Sequence, residues 1–170
     1  MPLLGIPFEV VDPDVPERSD GDPVQLVLAN AELKARAGSA LVGADAYVIG
    51  SDTDVVLDGR LLGKPADEAA AAQRLRALSG RAHLVHSGVF VLGPGVELRG
   101  SESTVVRFRQ LSEREIDAYL ATGEWRGRAG GYAVQGFGSS LIEGIDGDLS
   151  NVIGLPLPLV ARLVGSLPIG

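Results

Sequence analysis

Val48-Ile49-Gly50-Ser51-Asp52-Thr53-Asp54 runs at once into Val55 to Leu62 and the triplet Gly63-Lys64-Pro65. The apolar residues before Gly50 predict a buried strand over Ala46 to Ile49, which delivers Asp52 and Asp54 to its end. Asp58-Gly59, set between Val55-Val56-Leu57 and Arg60-Leu61-Leu62, is a two-residue β-hairpin signal. The chain therefore doubles back and leaves Lys64, between a glycine and a proline, near the carboxylates. Hard cations take oxygen ligands and an ammonium binds phosphate as a point charge, so these are the parts of a site for phosphate and a divalent metal.

Working outward, Ile6 to Val11 reads as a short strand and the proline-punctuated Asp12 to Asp22 as a surface loop. Pro23 opens a helix on which Val24, Val27, Leu28 and Ala31 recur, with Lys34 late on it and Gly38 as its stop. Asp67 caps an alanine-rich helix that runs to Leu78 and closes at Ser79-Gly80. His83 to Leu92 and Glu97 to Phe108 are rich in β-branched residues and predict an antiparallel pair joined by Gly93-Pro94-Gly95. Ser112-Glu113-Arg114-Glu115 is a capping box for a helix through Leu120, ended by Gly123. Glycines from Gly130 to Ile145 predict backbone that bends sharply or approaches a ligand. Pro156 and Pro158 fit the first turn of a last helix carrying Leu159, Val160, Leu163 and Val164. The expected fold is α/β with a mixed sheet, in one domain over residues 1–170.

Composition narrows the chemistry. A net charge of −7 leaves no field to attract nucleic acid or an acidic membrane, so any phosphate must be met by local cations. Without cysteine there is no disulfide, thiolate metal site or cysteine nucleophile. The first ten residues lack a basic region and no apolar run reaches bilayer length, which predicts a cytoplasmic protein without a membrane partner.

Successive strand residues alternate between faces, and Asp52 and Asp54 at a strand end need not share a task; one of them is expected to enter a cleft. A carboxylate there can hold Mg²⁺ or take a proton from an attacking water, and both can equally well cap a turn. Lys64 can bind phosphate or lie solvated, and so can Lys34, but these are the only two lysines in a chain with many arginines. His83 and His86, three apart on a strand, face opposite ways and read as structural. No Gly-x-Ser-x-Gly elbow supports a serine nucleophile. Gly147-Asp148-Leu149-Ser150-Asn151 serves equally as a helix cap or a site loop, Glu17 by itself says nothing, and Trp125 and Tyr132 read as core.

In order along the chain stand Leu4-Gly5-Ile6-Pro7-Phe8, Glu17, Leu33-Lys34-Ala35, Gly50-Ser51-Asp52-Thr53, Leu62-Gly63-Lys64-Pro65, Leu78-Ser79-Gly80-Arg81, the stretch Ala129 to Gly136, and Asn151 to Leu157. The series closely resembles the Maf family, over nearly the whole chain. The resemblance implies an inosine-triphosphatase-like fold with a twisted mixed sheet, flanking helices and a central cleft. It implies a nucleoside triphosphate pyrophosphatase that cuts between the α- and β-phosphates with a divalent cation, Mg²⁺, Mn²⁺ or Co²⁺. By position it makes Asp52 the base that activates water, Lys34 and Lys64 phosphate ligands, and Glu17 an acidic partner of metal or water. Asp52 and Glu17 are the implied metal ligands, and Arg128 keeps a charge where the family has one. Thr53 and Gln135 match positions that choose the base in the dTTP- and UTP-cleaving branch. A glutamine amide offers a donor and an acceptor to the imide edge of thymine or uracil.

The implied partner is the nucleotide substrate, with no nucleic acid, and a homodimer is left open. Members of the family begin with a strand and a Ser-x-Ser-Pro-Arg-Arg turn, whereas this chain starts after them. From that we expect a cleft short of one phosphate-binding wall and a sheet with an exposed edge. An inactive nucleotide-binding remnant and a late recorded start are the corresponding alternatives. A third reading, a haloacid-dehalogenase-like phosphatase, rests on Asp52-Thr53-Asp54 as an Asp-x-Asp nucleophile motif. Smaller departures from the family are Ser51 for alanine and Asp54 for an apolar residue, and Asp54 is left outside the site.

Overall fold

A computed structural model describes residues 7–43 and 45–165. Asp58 and Gly59 both adopt positive φ, 51° and 75°, which matches the twist of a tight hairpin. They join β1 (Val48–Leu57) to the short β2 (Arg60–Leu61). Pro94-Gly95 turns β3 (Ala82–Gly93) into β4 (Val96–Phe108), the long pair that the β-branched runs predict. A fifth strand, β5 (Ile142–Asp146), lies beyond them, so the order is β2-β1-β3-β4-β5. The α/β class is as expected, but every ladder among the described strands is antiparallel where a mixed sheet was expected.

β1 is longer than its apolar start implies. It continues through Asp54 into the hairpin, so Asp52-Thr53-Asp54 sits mid-strand rather than at a strand end. On the side away from β3 only Val56 and Leu57 are paired, and the edge from Val48 to Asp54 has no strand partner among the described residues. The segment read as an N-terminal strand is not one: Pro7 to Val11 carries no ladder, and Ile6 lies outside the described residues.

α1 (Pro23–Val42) covers one face of the sheet. Asp22 caps it by accepting from the Gln25 amide at 3.0 Å. Gly38, read as its stop, lies inside it instead. A side chain there would press on Val48 and Val11, so the glycine serves packing, and the helix ends at Gly43. The opposite face carries α2 (Glu68–Leu78), α3 (Glu113–Thr122), α4 (Leu149–Ile153) and α5 (Leu157–Val164). The expected capping box at Ser112 and Glu115 is present, and Gly123 ends α3 in the left-handed conformation. Leu75, Leu78, Val85, Val106, Phe108, Ile116 and Tyr119 form the main core on this side. Each fully buried aliphatic side chain of this kind contributes about 2 kcal/mol. Val89 and Val91 pack with Leu159 and Val160 in a smaller cluster. Among the described residues no helix is long and apolar enough to cross a membrane.

Candidate active site

Strand periodicity sorts the central residues by face. Gly50, Asp52 and Asp54 of β1, with Gly88 and Phe90 of β3, turn toward α1, and Ser51, Thr53, Val55, Val85 and Ser87 turn the other way. A Cβ on Gly50 would collide with the Ala31 carbonyl oxygen and one on Gly88 with that of Val27. Helix backbone thus rests directly on sheet backbone at both glycines. That close seat brings Asn30 and Lys34, one turn apart, over Asp52.

The two carboxylates of β1 share a face but not their partners. Asp52, its side chain only 10% exposed, accepts from Lys34 Nζ at 2.6 Å through Oδ1 and from Asn30 Nδ2 at 3.0 Å through Oδ2. Asp54 Oδ1 accepts from the amides of Val55 at 2.8 Å and Gly63 at 3.2 Å, and burial pushes its carboxyl up. Lys34 also meets Glu17 Oε1 at 2.7 Å, and the other Glu17 oxygen meets Lys64 Nζ at 3.1 Å. An alternating series Asp52, Lys34, Glu17, Lys64 results. Burial opposes the charge of both Glu17 and Lys34. Their mutual contacts outweigh it, holding Glu17 below the usual carboxylate range and Lys34 above the usual amine range.

Asn30 joins this series to the loop before α1. It is 3% exposed, its Oδ1 accepts from the Arg18 amide at 2.9 Å, and its Nδ2 donates both to the Arg18 carbonyl at 3.0 Å and to Asp52. Both amide protons and the carbonyl are used. Sequence reasoning missed this residue, although an asparagine within the buried stripe Leu26, Val27, Ala31, Ala35 was the available signal.

On the other face the groups are neutral hydroxyls. Thr53 Oγ1 lies 2.6 Å from Ser87 Oγ and 3.2 Å from the Gly154 carbonyl, and Ser51 Oγ lies 3.1 Å from the carbonyls of Gly88 and Gly154. Ser87 also reaches the Asn151 carbonyl. Counting protons, the hydroxyl hydrogen of Thr53 is committed to Gly154 or Ser87, which leaves Thr53 an acceptor toward the cleft. Asn151, fully buried, donates to the Val85 carbonyl and to Thr104 Oγ1 and ties α4 to the sheet. Asp148 caps α4 through the Ser150 amide, as the cap reading of that acidic turn has it, and the end of the same helix at Val152 to Gly154 lines the cleft.

A cleft of about 230 Å³ opens between these faces at the unpaired edge of β1, lined by Lys34, Asp52, Thr53, Lys64, Arg128 and Gln135 among others. Six of the seven residues singled out from sequence therefore meet in one cavity. Glu17, the seventh, reaches it through the two lysines. Tyr132 lines the wall while packing edge-on to Phe108 and His83, and accepts or donates a 2.7 Å bond with His83 Nε2. His83 and His86 do point to opposite faces, His86 bonding Ser103. Burial lowers His83 to about 4 and keeps it neutral.

Among the described residues no three or more of His, Cys, Asp and Glu converge to hold a metal unaided. Asp52 and Glu17 meet on one ammonium, and two hard carboxylates so placed could hold an Mg²⁺-like ion that completes its shell with water and ligand oxygens. The donor set fits such an ion.

The family model described as Maf-like protein matches residues 1–167. A relative from Deinococcus radiodurans, named dTTP/UTP pyrophosphatase, is 48% identical over 95% of this chain and 83% of its own length. Another of that name, from Symbiobacterium thermophilum, is 47% identical over 95% of this chain and 84% of its own. A nucleoside triphosphate pyrophosphatase of Xylella fastidiosa is 44% identical over 96% and 89%.

Proposed function

The chain belongs to the Maf family, and on that premise we propose that it hydrolyses nucleoside triphosphates to the monophosphate and pyrophosphate, with dTTP and UTP as preferred substrates. The observation that carries the reading is Asp52: a shielded carboxylate between Lys34 and Asn30, on a cleft that also presents Lys64, Arg128, Thr53 and Gln135. In this reading the triphosphate draws Lys34 and Lys64 away from Glu17 and is held by them and by Arg128. Lys34 leaves Asp52 Oδ1 open to a water, while Asn30 keeps Oδ2 and so the orientation of the carboxylate. The water attacks the α-phosphorus as Asp52 takes its proton. The bond from that phosphorus to the bridging oxygen breaks, and pyrophosphate leaves with its charge held by the two lysines. Asp52 and Glu17 are the residues that would hold a divalent cation, which would add charge neutralisation on the phosphates.

Base choice follows from the neutral face. An acceptor-only Thr53 suits the imide N–H of uracil and thymine, and repels the bare ring nitrogen that cytosine has there. The Gln135 amide is the second reader. A cysteine-free enzyme of nucleotide metabolism fits the cytoplasm, where its substrates are held.

The test is to incubate the purified chain with dTTP, UTP, CTP and GTP and Mg²⁺, Mn²⁺ or Co²⁺ in turn, measuring pyrophosphate and monophosphate. Equal release of both from dTTP and UTP is expected. No pyrophosphate from any pair sinks the catalytic reading, and binding of a non-hydrolysable triphosphate in that case marks a nucleotide-binding protein.

A further inference from the structure

Asp54 is a charge that neither the fold nor the proposed chemistry uses. It is half-buried on β1, where holding a carboxylate costs free energy, and among the described residues it has no ion pair. Of its two bonds one stays local, to the Val55 amide at 2.8 Å, and the other leads to a glycine. Asp54 Oδ1 takes the amide of Gly63 at 3.2 Å, the Gly63 carbonyl takes Arg74 Nη1 at 2.6 Å, and the same carbonyl takes the Gly130 amide at 2.8 Å. Gly63 sits at φ 54°, in the left-handed region. Its amide and its carbonyl are thus gripped from three places: β1, α2 and the turn Ala129–Gly131.

The next residue is Lys64. The Gly63 carbonyl shares a peptide plane with the Lys64 nitrogen, so gripping it fixes how Lys64 leaves the chain, and Pro65 stiffens the other side. The backbone grip sets where the Lys64 side chain starts, and its own torsions carry the ammonium to the cleft. The same carbonyl joins the lysine turn to the loop that carries Arg128 and Gln135. Cation and base-reading residue are therefore referred to one anchor point.

We propose that Asp54 is a positioning residue for Lys64, acting through the Gly63 backbone. The proposal rests on the reading of Lys64 as a phosphate ligand. Its rival is that Asp54 matters only as a negative charge two residues from Asp52. Asp54→Asn separates the two, because it keeps an oxygen acceptor for both amides and removes the charge, whereas Asp54→Val removes both.

Steady-state kinetics with UTP, together with hydrogen exchange of the Gly63 amide by NMR, form the test. Positioning predicts that Asp54→Val, which leaves the Gly63 amide without its acceptor, raises KM about fivefold with kcat within about twofold. It predicts that Asp54→Asn stays within about twofold of the parent in both constants. The Gly63 amide should exchange about tenfold faster in Asp54→Val and at the parent rate in Asp54→Asn. Equal KM shifts in the two variants overturn the proposal in favour of charge, and an unchanged Gly63 exchange rate in Asp54→Val overturns it outright. If the parent chain turns over no nucleotide, the functional reading fails by itself. The exchange rates, and the affinity of the three proteins for inorganic pyrophosphate by calorimetry, then still decide whether Asp54 holds the turn.

Discussion

The two faces of β1 solve the problem of placing polar groups inside a fold in opposite ways. Toward α1, Asp52 is matched to a charge brought from far along the chain, Lys34 on a helix, and Lys34 in turn to Glu17 on a loop. Toward α4, Ser51 and Thr53 are matched to backbone carbonyls and to Ser87, with no formal charge. Ion pairs with one half-exposed member, such as Lys64 at 53%, are worth about 0–1 kcal/mol and exchange partners cheaply. Hydroxyls buried against carbonyls do not, because an orphaned donor costs its desolvation. One strand therefore offers a re-arrangeable set of charges on one side and a fixed ruler on the other, suited to a polyphosphate and to a base edge respectively.

The comparison breaks most visibly at Asp52. Asp52→Asn should lower the rate of pyrophosphate release from UTP by about 10²- to 10⁴-fold while the protein still melts cooperatively, since the side chain keeps its shape and the Asn30 contact can persist. A comparable loss of folding would show that the charged face is structural. On stability, the sharpest probe of the neutral face is acid. Unfolded His83 takes up a proton near 6.5 but the folded residue only near 4, so stability is whole above pH 6.5 and falls as pH drops toward about 4. The total from His83 is on the order of 3 kcal/mol, and His86, also lowered by burial, acts in the same direction. Denaturant melts of His83→Gln should be flatter over that window; a slope equal to the parent's refutes the assignment. Gly50→Ala, which tests the seat of the charged face, should cost about 2–3 kcal/mol in the same melts, and a neutral outcome would mean α1 is free to lift. The smallest expected effect is on choice: Thr53→Val should reduce the preference of kcat/KM for UTP over CTP about tenfold, with the absolute UTP rate less affected. An unchanged ratio removes Thr53 as a reader.

Local signals were legible in proportion to how local their physics is. Asp58-Gly59 needs only its own φ angles, and Ser112 with Glu115 closes its capping box within one turn, so both stood in the sequence. The strand through Asp52-Thr53-Asp54 was harder, because polar residues on both faces erase the alternation that marks a strand with one wet side. β5 was hidden among glycines, and its place is set by Arg107 and Phe108 across the ladder rather than by its own residues. Gly38 has the residue type of a helix stop, and only its packing against Val48, a contact from outside the helix, explains it instead. In the site, the ordered motifs brought out Asp52, Lys34, Lys64 and Gln135, but Asn30 and Ser87 matter through partners 22 and 34 positions away. Asp54 was visible and set aside, since nothing in the chain order says that its oxygen ends on the Gly63 amide.

The contact of α1 with the sheet through Gly50 and Gly88 also has a mechanical side. With no side chain between the two backbones there is no cushion to compress, so sliding or tilting the helix drives carbonyl oxygens into α-carbons. Helix and sheet behave as one stiff plate, and Lys34 is bolted to it. The compliance needed to admit and release a ligand is left to the segment around Glu17, fastened to that plate through Asn30 and through charges the ligand itself can displace.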